Sequence, residues 1–257
     1  MKWTAEAIWE AAVPLPPDFT VEILPTVDST NSELMRRARA GQAAPVLLVA
    51  EAQTAGRGRL GRSWTSQPGD ALTFSLGLPL APADWSGLSL AVGASIAASL
   101  HPRIGLKWPN DLWLDDRKLG GILIETATVG GQRYVVVGVG INIGCPPAEG
   151  LATAPAGLQE LEPGMDAPLA LQRLAIPLLQ AILAFEARGF AAARAAFEQR
   201  DVLRGRAVRV TPTAAGPAAE APLEGVACGV NADGALLVQT AVCVKEITSA
   251  EVTVRPA

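Results

Sequence analysis

Apolar residues gather in short runs along the first two thirds of the chain, and most runs are bounded by glycine, proline or charged residues. Runs of four to eight apolar or β-branched residues between such punctuation are typical of buried strands. The predicted strands are Val21–Leu24, Pro45–Ala50, Leu72–Leu78, Gly105–Trp108, Leu112–Leu114, Lys118–Glu125 and Tyr134–Ile143. We expect the last strand to be broken at Gly138 and Gly140, where a backbone can approach a ligand.

Apolar positions at helical spacing predict helices between and after these strands. Ser29-Thr30-Asn31 supplies capping side chains for the first helix, and Gly41 is its expected stop. The predicted helices are Ser32–Ala40, Ser86–Leu100, Leu169–Glu186 with a bend at Pro177, and Phe190–Arg200. Strands and helices in this arrangement predict an α+β domain, a mixed sheet with helices on one face.

After Leu203 the pattern changes to short strands separated by turns, which predicts a small β-barrel of about fifty residues. The predicted strands here are Arg206–Thr211, Leu223–Val230, Ala235–Gln239 and Val252–Val254. We therefore divide the chain into an extension (1–20), a catalytic domain (21–203) and a C-terminal domain (204–257). The extension is too short for a three-helix DNA-binding domain, at about 11–12 residues per helix.

Composition narrows the function classes. The 257 residues are 49 % hydrophobic, enough for a substantial core, and the net charge of −4 argues against a protein that mainly grips nucleic acid. The sequence shows no signal peptide and no uninterrupted apolar run approaching the ~20 residues of a membrane span, so we expect a cytoplasmic protein with no membrane partner. The cysteines, at Cys145, Cys228 and Cys243, lack CxxC spacing and are expected to be buried thiols. The single histidine supports no Ser/His/Asp or zinc site.

The segment Gly56–Trp64 carries the most specific chemistry. It places three glycines and three arginines between Gly56 and Arg62 and ends on a tryptophan. Glycines let a backbone approach a ligand, and arginines match carboxylate and phosphate oxygens. Because the whole chain is acidic, this loop predicts a small anionic ligand over which it closes.

Five segments in order extend this picture: Asp28–Asn31, Gln53–Trp64, Lys107–Asp111, Lys118–Glu125 and Gly138–Ile143. Together with the C-terminal β module, they resemble biotin protein ligases (biotin–acetyl-CoA-carboxylase ligases) over about Val21 to Arg255. The resemblance implies a class II synthetase-like catalytic domain and an SH3-like C-terminal domain. It also implies the monofunctional type, without the winged helix of members that repress transcription.

The resemblance implies two half-reactions. Biotin and ATP give biotinyl-5′-AMP and pyrophosphate, and a lysine of a biotin carboxyl carrier protein, from acetyl-CoA carboxylase or a related carboxylase, then takes the biotin. Joining two anions calls for cationic groups, and protecting the adenylate from water calls for a closing loop. ATP and Mg²⁺ are the implied cofactors, no nucleic acid is expected, and a homodimer is left open.

The candidate catalytic residues are Lys118, Asp111 and Arg57. Lys118 lies beside a turn and before a Gly-Gly pair, where its charge is expected to bind the biotin carboxylate and a phosphate oxygen. Asp111 is expected either to orient Lys118 or to hold Mg²⁺, which prefers one or two carboxylates plus phosphate oxygens. A turn-forming role for Asp111 stays open.

Further residues are assigned to the two substrates by the resemblance. The biotin set is Ser29, Thr30, Asn31, Gln53, Arg57, Gly58, Arg59 and Lys118. The nucleotide set is Arg59, Arg62, Trp64, Asn142, Glu251 and Arg255. Alternatives remain at several positions: Ser29 or Asn31 can cap a helix, Trp64 can pack in the core, and Asn142 can form a turn. Lys107 can serve phosphate binding or structure.

Two other functions compete with this hypothesis. A lipoate–protein ligase or octanoyltransferase would share the fold and one catalytic lysine, but the arginine loop, the Ser-Thr-Asn segment and the β module favour biotin. A non-catalytic biotin-binding protein would not need Lys118 and Asp111 intact.

Overall fold

The strands of the larger sheet form the centre of the molecule. The computed structural model describes residues 2–12, 16, 18–65, 67–151, 153–212, 221–248 and 252–256. The strands of this sheet are β1 (Thr20–Val27), β2 (Val46–Gln53), β3 (Ala71–Pro79), β4 (Gly105–Lys107), β5 (Asp111–Leu114), β6 (Arg117–Val129) and β7 (Gln132–Asn142). They lie in the order β1-β2-β3-β7-β6-β5-β4. Strands β1 and β2 are parallel and the other neighbours antiparallel, so the predicted mixed sheet is confirmed.

Helices cover both faces of this sheet. They are α1 (Ala5–Ala12), α2 (Thr30–Arg39), α3 (Leu88–Leu100), α4 (Ala167–Arg188) and α5 (Arg194–Glu198). Helices α1, α3 and α4 share one core with Val135 and Val137 of β7, as predicted. Helix α2 departs from the prediction, because Leu34 and Met35 pack on the opposite face against Val136. Strand β7 is apolar at consecutive positions because both of its faces are covered.

Two sequence predictions of local structure are wrong. Strand β7 is not broken at Gly138 and Gly140; it pairs without interruption with β3 and β6. The glycines make room for side chains instead, since an added Cβ would lie 2.0 Å from Asn31 Oδ1 at Gly138 and 2.5 Å from Trp64 Cε2 at Gly140. The predicted helix Phe190–Arg200 is a 3₁₀ turn, Gly189–Ala192, followed by the short α5.

Helix α4 is longer than predicted and runs through Pro177. Its N-cap is Asp166, whose side chain accepts from the Leu169 amide. Ala167–Ala192 is long and apolar enough to cross a membrane, with a mean hydropathy of 1.5, but half of its apolar window is buried inside the protein. A core helix passes the same test, so this is only a weak indication of a membrane span.

The second sheet lies in the C-terminal region. Its strands are β8 (Ala207–Pro212), β9 (Leu223–Val230), β10 (Leu236–Gln239), β11 (Val244–Ile247) and β12 (Val252–Pro256). They pair antiparallel in the order β11-β10-β9-β8-β12. This confirms the predicted small β domain and adds β11 to it. Trp108 Nε1 of the larger domain donates to the Gly234 carbonyl at 2.9 Å, and Arg206 forms an ion pair with Asp116.

The N-terminal segment, residues 1–20, contains helix α1. Ile8 and Ala12 of α1 are buried in the main core, so this part of the 1–20 segment packs on the catalytic domain. The three-part domain division stays a prediction.

The prediction of buried thiols is wrong, because Cys145, Cys228 and Cys243 are all exposed. All three cysteines lie outside the buried apolar positions that form the hydrophobic core.

The indole of Trp108 should stabilise the junction between the two sheets. We expect Trp108→Phe to lower the free energy of unfolding by about 1–3 kcal/mol more than Trp113→Phe, measured by urea denaturation. Both side chains are buried, but the Trp113 Nε1 has no hydrogen-bond partner in the structure. Equal losses in the two variants would contradict a stabilising role for the bond to Gly234.

Candidate active site

A cleft of about 1150 Å³ opens beside β5, β6 and β7 and is bordered by the C-terminal domain. Every candidate site residue in the described part of the chain lines it. These residues are Ser29, Thr30, Asn31, Gln53, Arg57, Gly58, Arg59, Arg62, Trp64, Asp111, Lys118, Asn142 and Arg255. Glu251 lies outside the described residues. Residues spread over more than two hundred positions of sequence therefore face one space.

Strand pairing brings three charged side chains together at one end of the cleft. Lys107 on β4 lies opposite Asp111 on β5, and Asp111 lies opposite Gly121 on β6. Lys118 Nζ donates to Asp111 Oδ1 at 2.7 Å, and Lys107 Nζ lies 3.9 Å from Oδ2. Gly121 lies directly beside the pair, since a Cβ there would be in ordinary van der Waals contact with Lys118 Nζ at 3.5 Å. The contact between Asp111 and Lys118 has the geometry that the orienting role requires, and the role itself stays a prediction.

Lys107 is the more buried of the two lysines, with 9 % of the residue exposed. Burial lowers the pKa of Lys107, Asp111 offsets part of that shift, and the nearby charges of Lys118, Arg255 and Arg62 lower it further. The ammonium also lies 5.2 Å from the centroid of the Trp113 ring. This end of the cleft thus gathers more positive than negative charge, which favours an anionic ligand.

The arginine loop is a tight hairpin over the cleft. Gly58 N donates to Arg62 O at 2.7 Å, and Trp64 N donates to Gly56 O at 2.8 Å. At the tip, Leu60 (φ 58°) and Gly61 (φ 72°) adopt left-handed conformations. The chain reverses direction at these two residues, so the arginines on both arms of the hairpin face the same cleft.

Two arginines of this loop are held by defined partners. Arg59 Nη1 donates to Asn110 Oδ1 at 3.1 Å, and burial is the largest cause of its lowered pKa. Arg57 Nη2 donates to Glu125 Oε1 at 2.9 Å, and its Nη1 donates to Ser32 Oγ at 3.2 Å. The loop is therefore fastened to the walls of the cleft on two sides.

A wall of buried polar side chains faces the other end of the cleft. Gln53 Oε1 accepts from the Thr30 amide at 2.8 Å. Ser75 Oγ lies 2.7 Å from Thr30 Oγ1 and 2.6 Å from Asn31 Oδ1. Ser29 caps α2, because its Oγ accepts from Ser32 N at 3.4 Å, so the capping alternative is confirmed. Capping leaves the Ser29 hydroxyl hydrogen for a ligand.

Trp64 and Asn142 differ from their sequence alternatives, because Trp64 is half-buried outside the core and Asn142 is the last residue of β7 rather than part of a turn. The Trp64 indole lies against Gly140, and its Nε1 is buried without a hydrogen-bond partner. Asn142 Nδ2 donates to the carbonyls of Ala156 at 3.0 Å and Lys118 at 3.4 Å. Their contacts to a nucleotide stay predictions.

Sequence reasoning missed several residues that shape the cleft. Ser75 was read only as part of an apolar strand, and Glu125 only as the charged end of one. A buried hydroxyl among apolar residues was the available signal for Ser75. Glu125 lies within β6 rather than at its end, which no local pattern indicates. For Lys107 the sequence leaves phosphate binding and a structural role open, and its burial beside Asp111 depends on strand register.

Comparison with known proteins decides the family. Residues 23–142 match the model of the biotin/lipoate A/B protein ligase family. The chain is 34 % identical over 250 residues to the bifunctional ligase/repressor BirA of Escherichia coli (strain K12), covering 93 % of this chain and 75 % of that protein.

The chain belongs to the biotin protein ligase family.

Other relatives agree with this family. The biotin–[acetyl-CoA-carboxylase] ligase of Mycobacterium tuberculosis is 38 % identical over 159 residues, 58 % of this chain and 57 % of that protein. A biotin protein ligase from Aquifex aeolicus, solved in complex with biotin and ATP, aligns with a TM-score of 0.77 and 28 % identity, covering 92 % of this chain and 99 % of that one. The predicted family and the α+β fold are confirmed.

The buried charge of Lys107 should cost stability in the ligand-free protein. We expect Lys107→Met to raise the free energy of unfolding by about 1 kcal/mol at neutral pH, because Asp111 keeps Lys118 as its partner. The folded state binds the Lys107 proton less tightly than the unfolded state does. The penalty therefore fades as pH rises from the lowered pKa toward the ordinary value of 10.5, and the advantage of the variant should shrink.

Urea denaturation at neutral and at alkaline pH tests this expectation. The control is Lys245→Met, which removes an exposed ammonium from β11. A destabilised Lys107→Met, or an advantage that does not change with pH, would contradict a desolvated charge at this position.

Proposed function

We propose that this protein activates biotin with ATP to biotinyl-5′-AMP and transfers the biotin to a lysine of a biotin carboxyl carrier protein. One observation carries the proposal: a wall of hydrogen-bonding side chains and a cluster of cations share a single cleft under an arginine loop. Biotin has a polar ureido ring at one end and a carboxylate at the other, so the two ends of the cleft match the two ends of this substrate. The M. tuberculosis and A. aeolicus relatives support the choice through their names.

In the first half-reaction, a biotin carboxylate oxygen attacks the α-phosphorus of ATP. A phosphorus–oxygen bond forms to the carboxylate, the bond to the bridging oxygen breaks, and pyrophosphate leaves with that electron pair. Lys118 and Arg57 bind the carboxylate and an α-phosphate oxygen and offset the repulsion between the anions. Asp111 holds Lys118 in place through the 2.7 Å contact. Lys107 and Arg62 add positive charge where the departing pyrophosphate lies.

The ureido ring is proposed to pair with the donors and acceptors of the polar wall that are not used in bonds within the wall. Gln53 Oε1 already accepts from Thr30, which leaves the Gln53 amide hydrogens as donors. The Ser29 hydroxyl is a second donor to the ureido carbonyl. Asn31 Nδ2 is committed to Leu123 O and Glu125, so Asn31 acts through a lone pair on Oδ1 toward a ring N–H.

Mg²⁺ enters this proposal bound to the phosphates of ATP, where it neutralises part of their charge. Among the described residues, no three His, Cys, Asp or Glu side chains form a group that would hold a metal ion. Asp111 lies beside Lys118 and Lys107, and its Oδ1 already accepts from Lys118. Its second oxygen, Oδ2, would be the contribution of the chain to a Mg²⁺ ion carried by ATP, and phosphate oxygens would supply other ligands.

In the second half-reaction, the carrier lysine amine attacks the acyl carbon of the adenylate. An amide bond forms, the bond to the phosphate oxygen breaks, and AMP leaves while the amine loses a proton. We propose that the AMP part is held by Arg59, Arg62, Trp64, Asn142, Glu251 and Arg255. Gly58 lets the loop backbone close on the AMP part. We further propose a cytoplasmic enzyme and leave a homodimer as a question for sedimentation analysis.

Lipoate or octanoate activation is the second candidate, because the matched family includes lipoate ligases. The polar wall argues against it. An acyl chain or dithiolane offers no partners to Thr30, Asn31 and Gln53, and buried polar groups that lose partners cost about 1–3 kcal/mol each. A non-catalytic biotin binder is disfavoured because it has no need for Lys118 paired to Asp111.

Lys118 should be required for adenylation. We expect Lys118→Ala to lower the rate of biotin-dependent pyrophosphate release by about 10²–10³-fold, the scale of losing one electrostatic donor. The control is Lys245→Ala on the exposed face of β11, which should keep the wild-type rate. A folded Lys118→Ala protein with a near-normal rate would rule out this role.

The polar wall should select biotin over lipoate and octanoate. Calorimetric titration with each acid, with and without ATP, should give binding heat for biotin and little for the other two. Gln53→Ala should lose about 10-fold or more in biotin affinity, because the ureido carbonyl loses a donor. Tight lipoate binding with no heat from biotin would overturn the choice of substrate.

A further inference from the structure

Glu125 lies behind the cleft lining, bonded to two residues that line it, and the proposed function gives it no task. It lies on β6, opposite Val136 of β7, with 22 % of its side chain exposed. Its two carboxylate oxygens have different partners. Oε1 accepts from Arg57 Nη2 at 2.9 Å, and Oε2 accepts from Asn31 Nδ2 at 3.0 Å.

These two partners belong to opposite ends of the proposed ligand. Asn31 lies in the polar wall on α2, and Arg57 lies at the base of the arginine loop. Both are bonded by one carboxylate that is fixed on a strand in the middle of the larger sheet. A hydrogen bond to a charged group is stronger than one between neutral groups, and the Asn31 contact lies in a part-buried wall.

The contacts of Glu125 continue into a connected network. Asn31 Oδ1 accepts from Ser75 Oγ, which also contacts Thr30 Oγ1, and Thr30 is bonded to Gln53. On the other side, the second arm of Arg57 reaches Ser32 Oγ of the same helix α2. Chains of such bonds reinforce one another in a low-dielectric wall.

We propose that Glu125 is a positioning residue that fixes Arg57, and with it the arginine loop, in register with the biotin-ring wall. The proposal rests on the proposed function for its effect on catalysis. Glu125 is not expected to touch the reacting atoms. Glu125 takes one bond from Nη2 and Ser32 takes one from Nη1, and the other N–H groups of the guanidinium are left to the carboxylate and phosphate. The loop therefore meets the ligand with Arg57 already oriented.

Glu125→Gln separates the two contacts. The Gln carbonyl still accepts from Asn31, but the amide end cannot form an ion pair with Arg57. We therefore expect ATP-free biotin affinity to change by less than about 3-fold, while the turnover number for adenylation falls by about 10-fold or more. The amount of biotinyl-5′-AMP released into solution should be higher for Glu125→Gln than for wild type. The matched control is Glu162→Gln, whose paired Arg173 lies on α4 outside the cleft lining.

A double-mutant cycle with Arg57→Gln tests whether Glu125 acts through Arg57. If it does, adding Glu125→Gln to Arg57→Gln should cost less than about 2-fold, because the positioned group is already gone. Losses that multiply, or a loss of ATP-free biotin affinity as large as the loss of turnover, would show a general structural role and overturn the proposal.

Hydrogen exchange of the ligand-free protein supplies a readout independent of activity. Amides of residues 57–64 should exchange at least several-fold faster in Glu125→Gln than in wild type, and at the wild-type rate in Glu162→Gln. Unchanged exchange would overturn the positioning role even in an active ligase. If the loop loosens as expected but wild type releases no pyrophosphate with biotin and ATP, the proposed function fails and the effect of Glu125 on catalysis fails with it, while its hold on the loop stands.

Discussion

The contact between Asp111 and Lys118 depends on the pairing of β5 with β6, and the cationic end of the cleft depends on that contact. Strands β4, β5 and β6 place Lys107, Asp111 and Lys118 within reach of one another. A slip of one residue in this register would turn each side chain to the opposite face. The charges that would receive carboxylate and phosphate are thus set by sheet geometry rather than by a mobile loop.

Excess positive charge in this cleft has a cost and a use. Burial lowers the pKa of Lys107, so we expect its ammonium to cost stability in the protein alone. A bound nucleotide would bring negative charge beside Lys107, so part of this electrostatic cost would be recovered on binding. In the arginine loop, Glu125 and Ser32 each accept one hydrogen bond from Arg57, and its other N–H groups are the ones proposed to bind a ligand.

Much of this arrangement could be predicted from the sequence, for identifiable reasons. Strands such as β3 and β7 carry mostly apolar residues along their central parts, and the Gly-Arg loop and the segment Lys107–Asp111 are local signals. Contacts between distant segments could not be predicted. The role of Glu125 cannot be inferred from its position in a strand, because its partners on α2 and in the loop are distant in sequence. The same holds for Ser75, whose partner Asn31 lies on another element. The glycines of β7 were read as backbone exposed to a ligand, but Asn31 and Trp64 fill the space beside them.

Isotope exchange between pyrophosphate and ATP tests the central claim most directly, because it reports adenylate formation without any carrier protein. The account predicts that the purified protein catalyses exchange that depends on biotin, and that octanoate or lipoate does not replace biotin. Exchange supported by octanoate or lipoate but not by biotin, or biotin binding with no exchange at all, would contradict the account.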